Sequence, residues 1–110
     1  MEEIVLIETS EQAAKLILER LQKDFLRKSR TIYQMLVVRD HFSQTFNFFL
    51  EIKPKNQREK SIPLHTIENY DLAYLESVIR NLQKKTQITM QFKGFHELVW
   101  PESQNRISKG

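Results

Sequence analysis

Asp40, Glu51 and Lys53 are residue types that could together perform hydrolysis, with two carboxylates to hold a divalent cation and a lysine to assist. The other reactive groups are scattered. His41, His65 and His96 show no H-x-H or H-x-x-x-H spacing, so no imidazole pair is set up for a metal. Ser10, Ser29, Ser43 and Ser61 fall in cap-like and loop-like stretches without a G-x-S-x-G elbow. The chain has no cysteine, which excludes a thiol nucleophile, a disulfide framework and a thiolate metal site. Its two glycines, Gly94 and Gly110, rule out a phosphate-cradling loop or dinucleotide fingerprint of the usual form. The expectation is a protein that is not an enzyme, with no catalytic residue, no metal and no cofactor.

Two patterns resemble those of known families. Asp40 followed by Glu51-Ile52-Lys53 resembles the Asp…Glu-x-Lys signature of restriction-type nucleases, which implies a metal held by the carboxylates. Spacing opposes it: with a hairpin turn near His41–Phe42, Glu51 faces residue 32 or 33 and Asp40 lies about 25 Å along the strand. A single Mg²⁺ needs its ligands within about 2.1 Å, so a metal-dependent nuclease ranks third among the readings. "QTFNFFLE" (Gln44–Glu51) resembles the RNA-recognition motif only in the positions of Phe46 and Phe48. It lacks the leading cation, the small residues and the final aromatic, and core packing is the commoner use of buried phenylalanine.

The elements that must position these residues follow from periodicity. "EEIVLIE" reads as a buried strand, and Thr9 with Gln12 has capping-box spacing for a helix carrying Ala14, Ile17, Leu18, Leu21 and Phe25. "TIYQMLVVRD" and "SQTFNFFLEIK" are rich in β-branched and aromatic residues and flank the turn residues "DHFS", which predicts an antiparallel hairpin. The polar "PKNQREKSIP", bounded by Pro54 and Pro63, reads as a loop. A second helix should begin between Thr66 and Asp71, carry Leu72, Leu75, Val78, Ile79 and Leu82, and end at Lys84–Lys85. "ITMQFKG" alternates as a strand, and "HELVWP" could add a short fifth one. The expected fold class is α+β, a ferredoxin-like β-α-β-β-α-β sheet with two helices on one face and a C-terminal extension. Residues 1–101 form one domain on this reading, with 102–110 as a flexible tail.

Alternation along the second hairpin strand puts Phe46, Phe48, Leu50 and Ile52 under the helices and Phe49 on the opposite, open face. Ile4 or Val5, Tyr33, Met35 and Val37 would join Phe49 there, making a face too apolar for water. Either "GFHELVWP" folds across it or a second subunit covers it. The same topology gathers Lys23, Arg27, Lys28, Arg30, Lys53, Lys55, Arg58 and Lys60 at one end of the sheet. Glu2, Glu3, Asp24, Glu51 and Glu59 dilute that basic end, and the net charge is only +3.

At 40% hydrophobic and 28% charged residues the composition is that of a globular chain. The acidic start "MEEIVLIETSEQ" is unlike a secretory leader, and no stretch reaches the ~20 apolar residues of a membrane span, so a cytoplasmic protein with no membrane partner is expected. The first functional expectation is a regulatory, adaptor or immunity-type module that binds a protein through Tyr33, Met35, Val37 and Phe49 or through an edge strand, with a homodimer as one form. The alternative is an RNA- or DNA-binding module using Arg27, Lys28, Arg30, Lys53, Lys55, Arg58 and Lys60.

Overall fold

The computed structural model describes residues 8–24, 31–96 and 98–107. Its elements are α1 (Ser10–Asp24), β1 (Thr31–Asp40), β2 (Thr45–Pro54), β3 (Lys60–Ile67), α2 (Leu72–Lys85) and β4 (Thr89–Lys93). The strand expected at the N-terminus lies outside the described residues, except for Glu8.

Helix α1 starts as its capping box requires. The Thr9 backbone N–H donates to Gln12 Oε1 at 2.9 Å, and the Gln12 N–H donates to Thr9 Oγ1 at 3.1 Å. Asp71 caps α2 by accepting the Ala73 N–H at 3.2 Å. Ala13, Ala14, Ile17 and Leu21 of α1 and Leu75, Val78, Ile79 and Leu82 of α2 are buried, each set on one helical stripe. The helices pack against each other, and Ser10 Oγ meets Ser77 Oγ at 2.7 Å between them.

The sheet is mixed, with order β3-β2-β1-β4. Strands β1 and β2 are antiparallel, as are β2 and β3, while β1 and β4 run parallel. The α+β class is as expected, and the order matches the ferredoxin-like expectation only in part: the β1–β2 hairpin is present. What differs is β3. The stretch expected to be a loop up to Pro63 becomes strand from Lys60 onward, leaving only about five residues as the connection. Pro63 is tolerated because β3 is an edge strand, where a missing N–H need not break a ladder. A bulge opposite Phe48/Phe49 adds one residue to β3, so Ile62, Leu64 and Ile67 do not alternate cleanly in sequence.

Cross-strand partners share a face. Phe46, Phe48, Leu50 and Ile52 of β2 stand opposite Arg39, Val37, Met35 and Tyr33 of β1. Phe46 and Phe48 lie in the core under the helices, as the alternation predicted, and Met35 and Val37 lie there with them, each 0% exposed. The expectation that Tyr33, Met35 and Val37 occupy the open face is therefore corrected. The turn spans residues 41–44, Asp40 pairs with Thr45, and Glu51 faces Gln34 rather than residue 32 or 33. An odd shift in register moves every side chain of a strand to the other face.

The C-terminal extension, one of the two coverings considered for the open face, packs on the helix side. Phe95 stacks on Phe46 with centroids 6.0 Å apart, and Trp100 meets the edge of Phe92 at 5.7 Å. Both partners face the helix side, so Phe95 and Trp100 close the core there and do not cross the open face. Residues 102–107 fold back rather than forming a loose tail: Ile107 is buried and its N–H donates to the Leu98 carbonyl. In place of a fifth strand there is a single bridge, Val99 to Arg106.

Candidate functional site

The face opposite the helices is built in rows by the sheet register. Its central row is Pro63, Phe49, Leu36 and Gln91, from β3 across to β4. To one side lie Thr66, Asn47, Val38 and Lys93, and to the other Ser61, Glu51, Gln34 and Thr89. Ile32 and Lys53 follow beyond Gln34 and Glu51. Phe49 is on this face, as alternation predicted. Leu36, Val38 and Ile32 are the residues missed. They carry the second apolar alternation of β1, which was visible in sequence but could not be assigned to a face without the register.

None of Ile32, Leu36, Val38 or Phe49 belongs to the hydrophobic core. Leu36, Val38 and Phe49 are half-buried, and Ile32 is 63% exposed. Gln34, flanked on both sides in the middle of the sheet, is only 6% exposed. Polar groups frame the apolar centre: Thr66 Oγ1 donates to Asn47 Oδ1 at 2.7 Å, and Lys53 and Lys93 are balanced by Glu51 and Asp40. The result is an apolar patch rimmed by polar residues, with no excess of either charge.

At the end of this face a cleft of about 580 Å³ is lined by Thr31, Ile32, Lys53, Pro54, Lys55 and Glu59. Lys53 and Lys55 of the expected basic end thus share a concavity, with Arg58 and Lys60 exposed on the adjoining loop and strand start. Arg27, Lys28 and Arg30 lie outside the described residues. At the opposite end Asp40 shapes the hairpin turn. Its Oδ1 accepts the N–H groups of Phe42 at 3.0 Å and Ser43 at 3.2 Å, and the Ser43 N–H chiefly holds the Asp40 carboxyl below its ordinary value. This turn presents Phe42 at 99% exposure.

The nuclease-like constellation does not assemble. Asp40 is six positions from Gln34, the partner of Glu51, or ~20 Å at about 3.3 Å per residue. Among the described residues no three His, Asp or Glu side chains are grouped to hold a metal.

One titratable cluster does form, around His65 of β3. Arg20 Nη1 donates to the His65 Nδ1 at 3.0 Å, and arginine has no lone pair to accept with. The ring proton is therefore on Nε2, which donates to Glu8 Oε1 at 2.9 Å. Arg20 Nη1 also donates to the Leu64 carbonyl at 2.6 Å, and the Tyr74 hydroxyl donates to the Glu8 carbonyl at 2.8 Å. Desolvation, reinforced by the Glu8 charge, raises the Tyr74 pKa. With both ring nitrogens engaged, His65 has no free one for general base work. It ties β3 to α1 and to the segment that precedes it.

A buried carboxylate performs a similar task at the other side. Glu76 of α2, 5% exposed, accepts the N–H groups of Glu102 at 2.8 Å and Ser103 at 3.1 Å. Burial pushes its pKa up, but these two donors, the Ser103 hydroxyl and Arg80 outweigh burial and hold it below the ordinary value. Arg80 also reaches Glu102 at 2.8 Å. No model of a known family, no curated protein and no solved structure matches this chain.

Proposed function

We propose that the protein is a non-enzymatic cytoplasmic interaction module that binds a protein partner through the open face of its sheet. The observation that carries this reading is the position of Leu36, Val38 and Phe49 outside the core, at the centre of a face whose charges cancel. A partner strand, helix or loop laid across that face would bury apolar area worth about 25 cal/mol per Å² before the costs of association. Rigid strands hold the patch in place, so little ordering entropy is lost there on binding.

A second reading is favoured by the cleft. Lys53 and Lys55 on its walls could neutralise phosphates, which makes RNA or DNA the competing class of partner. Binding through about four phosphates would weaken with salt at a log–log slope near −3 to −4.

Capture from a native lysate, with and without nuclease, using the wild-type chain and Phe49→Glu, separates the two. The open-face reading expects a protein retained after nuclease and lost with Phe49→Glu, while the variant still unfolds cooperatively, with its thermal midpoint lowered by several degrees at most. Capture abolished by nuclease and indifferent to Phe49 would transfer the function to the basic cleft.

A further inference from the structure

We infer that the chain forms a twofold dimer by pairing its β4 edge antiparallel with the β4 edge of a second copy, the axis passing at Gln91. The sheet has two edges, and the chain treats them differently. Edge strand β3 is guarded: Pro63 offers no N–H, a bulge interrupts its register, and Arg20 occupies the Leu64 carbonyl. These are devices that stop another strand from adding.

Edge strand β4 has none of them. Its five residues, Thr89–Lys93, pair with β1 in unbroken register from Gln34↔Thr89 to Val38↔Lys93 and contain no proline. Among the described residues only β1 pairs with it. Met90 and Phe92 point to the core side yet are half-buried, as is the neighbouring Ile88, and among the described residues no strand lies beyond them. A strand that faces the core and still shows apolar side chains at its rim is incompletely covered.

The sequence of β4 is complementary to itself when reversed. A five-residue strand overlaps its copy over its full length only with the central residue, Gln91, on the axis. Met90 then faces Phe92 of the second copy, a favourable sulfur–aromatic pair, and Thr89 faces Lys93. The two Gln91 amides meet on the open face, each able to donate and accept. The only charge on the strand, Lys93, meets a hydroxyl and not its own copy. Gln91 is also the end of the row Phe49–Leu36–Gln91, so the axis joins the two open faces into one eight-stranded surface with a continuous central row. The dimer stands independently of what that surface binds.

Sedimentation of the full chain at micromolar concentration tests the association, and single cysteines in this cysteine-free chain test its register. The wild type is expected to sediment as a dimer. Gln91→Lys sets two cations against each other on the axis and should weaken association by about tenfold or more with the thermal midpoint kept. Gln91→Cys should be joined to its copy by a short thiol-specific cross-linker. Thr89→Cys, ~13 Å from its copy in this register at about 3.3 Å per residue, and Ser61→Cys on β3 should not be. A monomer at every concentration, a dimer indifferent to Gln91→Lys, or linkage of Ser61→Cys as efficient as that of Gln91→Cys would each overturn the proposal. If Gln91→Lys fails to fold, the cross-linking comparison decides alone.

Discussion

Truncating Phe46 or Phe48 to alanine removes a fully buried ring beneath the helices, and each change should cost about 3–5 kcal/mol in chemical denaturation. Phe49→Ala, one position from Phe48 but on the other face, should cost about 1 kcal/mol, the range of strand propensity and cross-strand pairing. Equal losses at Phe48 and Phe49 would contradict the register of β2. Glu76 supplies a second test, because Trp100, the single tryptophan, sits two and three positions from the N–H groups it holds. Glu76→Gln weakens two charge-assisted hydrogen bonds and should cost about 1.5–3 kcal/mol. The Glu76 contribution is complete above its ordinary value of 4.5 and is lost as pH falls through the lower native value. Wild-type Trp100 emission should shift to the red below that point at temperatures where the rest of the fold survives, and the Gln variant should show the shift already at neutral pH.

At the scale of elements, each strand and helix is stabilised by a partner its own sequence does not name. Strand β3 is polar at its start and interrupted by Pro63, and it is strand because Leu64 and Ile67 find the core while Arg20 and His65 attach it to α1. The 98–107 segment is held by its own Ile107 in the core and by the Glu76 carboxylate, which is distant along the chain. The positive φ of Gly94, 87°, turns the chain from β4 into this segment, and a Cβ there would come within 2.6 Å of the Arg39 carbonyl oxygen. Deleting residues 102–110 should therefore lower the thermal midpoint and raise the solvent exposure of Trp100, measured by fluorescence quenching. A deletion variant with unchanged midpoint and quenching would mean that the segment contributes nothing to the core.

For the molecule as a whole, the two helices and the C-terminal segment pack on one face of a four-stranded sheet, and among the described residues no element lies on the other. Much of this was readable in the sequence. The Thr9–Gln12 capping box, the apolar stripes of both helices and the opposite orientation of Phe48 and Phe49 are local, since each depends on residues within a turn or a pleat. What the sequence could not decide was long-range. Both alternations of β1 are apolar, Tyr33-Met35-Val37 and Leu36-Val38, so period two offers no preference between its faces. The four-residue turn set by Asp40, which puts Val37 opposite Phe48, made that choice and with it the identity of the open face. The same holds for β3 and residues 102–107, whose few apolar groups order only where tertiary contacts offset the entropy of fixing the chain.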